Sequence, residues 1–134
     1  MSSETGRVLY QDPYLKVDAA GGAVWLEGRL LPLTRKELQL LLMLVRNAGE
    51  VVRREVLLTE VWGYQAGVKS RTLDVHVRRL RRHLGVLGNL YVETIFSKGY
   101  RFQPIGQMDI EKQNGLRMFR LRLRMAPQSA TRVI

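Results

Sequence analysis

The chain has no cysteine among its 134 residues. That excludes disulfides and thiolate metal sites, and it fits a reducing compartment. No apolar run reaches the length of a membrane span. The first residues, MSSETGRVLYQD, are polar and hold no apolar signal-peptide core. HExxH and CxxC are absent, and so are GxSxG and a Gly-rich phosphate loop. With no catalytic constellation the chain is expected not to be an enzyme and to need no cofactor or metal. No internal repeat or low-complexity tract occurs. Acidic side chains are scarce: 12 Asp and Glu stand against 22 Lys and Arg, a formal net charge of +10. These absences together point to a cytoplasmic protein with no membrane partner.

The positive charge is uneven. Residues 1–33 carry −1, residues 34–62 carry +1, residues 63–105 carry +6 and residues 106–134 carry +4. A charge gathered in one half implies a polyanionic partner, with nucleic acid first and an acidic membrane surface second. The length suits one domain, and a hydrophobic content of 46% is enough for a core.

Residues 1–13 read as a flexible start. Short segments of strand character follow at 14–17, 23–27 and 29–33, separated by the turn signals Gly21-Gly22 and Glu27-Gly28. They predict a small antiparallel meander. Thr34-Arg35-Lys36-Glu37 is a capping box: the Thr hydroxyl can accept from the Glu37 amide while the Glu carboxylate reaches back. Leu38, Leu41, Leu42 and Val45 then recur at helical spacing, and Leu40, Met43 and Leu44 widen the stripe. The spacing predicts a largely buried helix ended by Gly49. A second helix is expected over 53–62 without an N-terminal cap, since Arg53 stands where Ser, Thr or Asp is usual. Its apolar contacts come from Val56, Leu57, Leu58, Val61 and Trp62. A loop at 63–69 leads to Ser70, the expected cap of a third helix.

Residues 70–84, SRTLDVHVRRLRRHL, are the most informative segment. At about 100° per residue, Leu73, Val77, Leu80 and Leu84 fall within roughly 60° of one another. Arg71, Val75, Arg78, Arg79 and Arg82 lie on the other side. One face can pack on a core while the other, with arginines and one small apolar side chain, can enter the major groove of DNA. A solvated basic surface helix is the plain alternative; five arginines against Asp74 alone weigh against it. His76 and His83, seven residues apart on the flank of this helix, have no third ligand near them in sequence. After Gly85 and Gly88, residues 91–96 alternate, Ser97-Lys98-Gly99 turns, and residues 100–102 return as a hairpin. The expected fold is therefore α+β: a winged helix-turn-helix with an N-terminal antiparallel sheet, three helices and a C-terminal β-hairpin wing, occupying 14–105. In the tail, 106–134, Phe119, Leu121, Leu123 and Met125 alternate with Arg120, Arg122 and Arg124. It reads as a basic appendage, either an extra strand or disordered.

The segments LTRKELQLLLMLVRNAGEVV, LLTEVWG, SRTLDVHVRRLRRHLG and VETIFSKGYRF, in this order and spacing, resemble the OmpR/PhoB-type winged-helix effector domains of two-component response regulators. The likeness covers about residues 14–103. It implies a sequence-specific transcription regulator of double-stranded DNA, either the effector module of a response regulator or a stand-alone regulator. A winged helix that binds protein through its wing or tail is the alternative. Carried onto this chain, the family pattern makes Arg71 and Thr72 phosphate contacts and places Val75 against a thymine methyl. Arg79 becomes the best candidate for a base contact. Arg78, Arg81 and Arg82 would hold phosphates or a second base, Asp74 would orient or pair with a cation, and Thr94 and Tyr100 would brace the wing against phosphate. The loop 63–69, from Gly63 to Lys69, would touch RNA polymerase or serve as a plain connector. Two copies are expected in tandem on DNA.

Two departures stand out. The family wing carries an arginine that reads the minor groove, in a pattern like TVRGxGYRF. Here Phe96 takes the arginine position and Ser97 a glycine position. Phe96 is expected to pack under the hairpin, leaving Lys98 as the nearby cation for phosphate. The receiver domain with its phosphorylatable aspartate is also not in this sequence, so the chain reads as an excised effector domain or a stand-alone regulator.

Overall fold

The computed structural model describes residues 8–105. The tail 106–134 and the first seven residues, on which part of the expected flexible start falls, lie outside the described residues.

The chain opens with four strands: β1 (Val8–Gln11), β2 (Leu15–Asp18), β3 (Ala23–Leu26) and β4 (Arg29–Leu30), an antiparallel sheet in that order. Strand alternation decides its inner face. Leu15 and Val17 on β2, and Val24 and Leu26 on β3, are buried, while Lys16 and Trp25 point outward. The latter two are cross-strand partners, and the Lys16 ammonium lies 5.1 Å from the Trp25 ring centre. β1 corrects the expectation of a flexible start, for Tyr10 and Gln11 pair with Val17 and Lys16. Strand pairing supplies the order that the local sequence does not signal. β4 is only two residues long, shorter than the expected 29–33.

α1 (Arg35–Arg46) starts at the capping box as the sequence predicts. Thr34 Oγ1 accepts from the Glu37 amide at 3.2 Å, and Glu37 Oε1 accepts from the Thr34 amide at 3.0 Å. Glu37 is nonetheless 2% exposed, and its carboxylate also meets His83 Nε2 at 3.3 Å. Leu40, Leu41 and Leu44 are fully buried, which puts α1 at the centre of the core.

β5 (Val51–Arg53) and α2 (Arg54–Trp62) follow, then α3 (Thr72–His83). Arg53 caps α2 by position only, with no side-chain hydrogen bond. The far end of α2 is better served: Lys36 Nζ donates to the Val61 carbonyl at 2.7 Å. The expected Ser70 cap is displaced by one residue. Arg71 holds the N-cap position, and Ser70 Oγ accepts from the Thr72 amide at 3.1 Å from just outside the helix.

A 3-10 turn at Gly85–Leu87 and the single-turn helix α4 (Gly88–Tyr91) lead to the hairpin of β6 (Val92–Ile95) and β7 (Gly99–Phe102). The sequence signals neither turn. β5 adds a third strand, so the wing sheet runs β5-β7-β6. Gly99 is required by that pairing, because a Cβ there would collide with the Val52 carbonyl oxygen. The two sheets and α1 share a core that includes Tyr91 and Phe102, stacked at 5.5 Å and both fully buried. The Tyr91 hydroxyl donates to the Asp12 carboxylate. Burial, with that carboxylate beside it, pushes the Tyr91 phenol well above its ordinary range.

Candidate nucleic-acid interface

α3 divides as its heptad-like spacing predicts. Leu73, Val77, Leu80 and Leu84 are 1% exposed or less and face the core with α1. Arg71, Arg78, Arg79 and Arg82 are exposed, and Val75 between them is half-buried. Among the described residues, the ion pairs are Arg54–Asp74, His83–Glu37 and Arg101–Glu93. None of them uses the four outward arginines. Their charge faces solvent, and Thr72 lies half-buried at the start of the same helix.

Asp74 sits in the first turn of α3 and is the anchor of the site. Arg54, at the start of α2, grips its carboxylate with both Nη atoms, at 2.6 and 2.9 Å. The Tyr100 hydroxyl of β7 donates to the same carboxylate. One acid therefore ties α2, α3 and the wing together, with the fork geometry that makes Arg–carboxylate pairs directional. The Arg54 hydrogen bond, followed by that from Tyr100, holds the Asp74 carboxyl below the usual carboxylate range. A carboxyl lowered on folding stabilises the fold above its unfolded value, and that contribution disappears as pH falls through the folded one. Urea unfolding of the parent and Asp74→Asn, at neutral pH and below about pH 4 where free carboxyls titrate, checks this. The parent is expected to lose more stability on acidification than the variant; parallel losses would show that the pair contributes nothing to acid sensitivity.

The other site residues divide into two kinds. Arg81 does not join the outward row. Its Nε and Nη2 donate to the Val92 carbonyl at 3.0 and 2.7 Å, and Nη2 also donates to Thr94 Oγ1 at 2.8 Å. Arg81 is thus a strut between α3 and β6, and Thr94, though exposed, is one of its partners. Tyr100 is buried with its hydroxyl spent on Asp74. Lys98, by contrast, is exposed at the wing tip. The structure therefore gathers Arg71, Thr72, Val75, Arg78, Arg79 and Arg82 on one surface. Arg81 and Tyr100 are instead turned to partners within the fold, while Thr94 and Lys98 are exposed on the wing.

Three features of the site depart from the sequence expectation. Arg54 has no motif that singles it out. Arg81 did leave a signal: at about 80° from Leu73 on the helical wheel it belongs to the flank rather than the outer face. Phe96 corrects an expectation outright, because it is 88% exposed and does not pack under the hairpin. Ser97 beside it has φ of +61°, the left-handed conformation that a glycine would adopt without strain.

The histidines serve separate structural contacts. His76 Nδ1 lies 2.8 Å from the Thr72 carbonyl and its ring meets Trp62 edge-on at 4.9 Å, while His83 faces Glu37. Among the described residues no group of three or more His, Asp or Glu side chains is placed to hold a metal, and no helix is long and apolar enough to cross a membrane.

Residues 28–102 match the family model described as "Transcriptional regulatory protein, C terminal". Over 70 residues the chain is 46% identical to the uncharacterized transcriptional regulatory protein YclJ of Bacillus subtilis, covering 52% of this chain and 31% of that protein. The response regulator DrrB of Thermotoga maritima, an OmpR/PhoB homolog, superposes with a TM-score of 0.63 at 37% identity, over 71% of this chain and 44% of that one. The RstA DNA-binding domain of Klebsiella pneumoniae, solved in complex with the RstA box, gives 0.65 at 28% identity, over 72% and 97%. The chain spans about a third of the length of the curated relatives it matches.

Proposed function

This chain belongs to the family of transcriptional regulatory protein C-terminal domains of OmpR/PhoB type, and from that premise we propose that it is a sequence-specific regulator of transcription that binds double-stranded DNA. α3 lies in the major groove, as the effector module of a response regulator or as a stand-alone regulator in the cytoplasm. One observation carries this: four arginines, Arg71, Arg78, Arg79 and Arg82, stand exposed on the face of α3 opposite its buried leucines, with no ion pair among the described residues. A protein-interaction module has little reason to gather so much positive charge on one helix face. A similar domain, that of RstA, has been solved on its DNA box.

The roles follow from position. Arg71, at the helix start, meets phosphate, which the helix dipole favours. Arg79, mid-face, is long enough to reach guanine O6 and N7 with two parallel hydrogen bonds. Val75 offers its methyls to thymine. Arg78 and Arg82 flank them against the backbone or a second base. The loop 63–69, exposed over most of its length with Val68 46% exposed, is the surface for RNA polymerase. Two copies sit in tandem on direct repeats.

Titration of a duplex at several salt concentrations tests the proposal. Affinity is expected to fall steeply, with a log–log slope of about −0.9 for each phosphate neutralised. A flat response, or no binding at low salt, contradicts it.

A further inference from the structure

Phe96 is the most exposed large hydrophobic side chain among the described residues, 88% open to solvent. It is not on a loose loop. The Lys98 amide closes the turn on the Ile95 carbonyl at 2.9 Å, and the Lys98 carbonyl accepts from the Arg54 amide at 3.1 Å. Behind it, Arg81 holds β6 through the Val92 carbonyl and the Thr94 hydroxyl, and Gly99 lies hard against β5. A braced hairpin thus presents an apolar ring at its tip. Such a side chain finds no packing within the described fold; a lone exposed ring is ordinary in itself, and its place on a braced, cationic tip is what sets this one apart.

The surroundings say what partner it fits. The tip reaches the first turn of α3 in two links: the Lys98 carbonyl to the Arg54 backbone, and the Arg54 guanidinium to Asp74. A wing held beside the start of a helix seated in the major groove meets the adjoining minor groove. The tip is cationic as well. Lys98 and Arg53 are exposed there with Glu55 as the acid beside them, which suits a polyanion.

We propose that Phe96 is a minor-groove wedge: it lodges against a base step beside the site read by α3, partly unstacks that step and bends the duplex. The inference rests on the DNA-binding reading above and adds a selectivity to it. An apolar wedge favours steps that open cheaply, the pyrimidine–purine steps TA and CA/TG. A stiff A-tract, whose narrow groove attracts arginine, disfavours it. The wing of this chain therefore selects the flank that an arginine wing would reject. Lys98 supplies a phosphate contact without preference, since its ammonium acts as a point charge.

The test compares two duplexes that share one site, obtained by selection on random sequences with the full chain, and differ only in the flank: TpA steps or an A-tract. The parent is expected to bind the TpA duplex about tenfold more tightly, a factor within the range of base–aromatic stacking energies. Phe96→Ala removes the preference, Phe96→Leu keeps part of it, and Phe96→Arg reverses it. The melting temperature stays unchanged, because an exposed ring leaves no cavity. Phe96→Ala also leaves the salt slope untouched, whereas Lys98→Ala lowers it by about one phosphate's worth and weakens both duplexes alike. Equal parental affinity for the two flanks, or an equal loss on both in Phe96→Ala, overturns the wedge while leaving DNA binding intact; the ring would then serve a contact without step selectivity or a protein partner. Absence of binding to either duplex at low salt overturns the DNA reading, and the wedge with it.

Discussion

Leu80→Ala is expected to destabilise the domain by about 2–5 kcal/mol, the range for a leucine truncated in a close-packed core. Leu80 is fully buried, as are Leu73 and Leu84, with Val77 at 1%. These four form the whole inner face of α3, and that face packs on α1. Truncation removes the transfer energy of the lost methyl groups and leaves a cavity, which a helix fixed at both ends cannot collapse to fill. One end is held by Asp74 through Arg54 and Tyr100. The other is held by His83 against Glu37 and by the close approach of Gly88 to the Arg81 backbone. Since small domains have only about 5–15 kcal/mol in hand, the urea midpoint should fall markedly. An unchanged midpoint would mean that α3 is not anchored through this face. The arginines would then not be held outward, and the interface would lose its basis.

Arg79→Ala is expected to cost about 1–3 kcal/mol on a cognate duplex and to relax preference at one base pair, as the loss of one bidentate arginine–guanine contact should. Arg79 is exposed, so the fold should not suffer. Arg71→Ala separates base reading from charge. It removes the same charge from the helix start, where the partner is phosphate, and should weaken cognate and random DNA alike. Arg81→Ala is not a comparable control, because it frees the Val92 carbonyl and Thr94 and loosens the wing. Selection on random duplexes with each variant reads the difference. Recovery of the parental motif by Arg79→Ala would remove Arg79 as the base-reading residue.

How much of this was legible in the sequence depended on the range of the interaction. The capping box of α1 involves residues three apart, and Thr34 and Glu37 do what their spacing predicts. The two faces of α3 follow from helical periodicity alone, and the turn at Ser97-Lys98-Gly99 from local backbone chemistry. Pairings between distant segments left weaker marks. β5 is three residues without useful alternation, and it is a strand because Val52 meets Tyr100, nearly fifty positions on. β1 is ordered in the same way by β2. Arg54, Asp74 and Tyr100 come from three elements and converge only in the folded state. The resemblance to a family puts Tyr100 and Thr94 on the wing, and only the fold shows that the Tyr100 hydroxyl donates to Asp74 and that the Thr94 hydroxyl accepts from Arg81. Phe96 shows the opposite failure: an apolar residue in a hairpin invites the assumption of packing, yet the turn carries it past the end of the sheet, where no described side chain covers it.

The central claim is that α3 reads bases in the major groove through Arg79. Replacing the guanines of the selected site one at a time by 7-deazaguanine tests it most directly, because N7 is removed from the major groove while base pairing is kept. The account predicts one guanine at which the replacement weakens the parent several-fold and leaves Arg79→Ala unaffected. Equal losses in the parent and the variant at every guanine, or no loss at any, would contradict it.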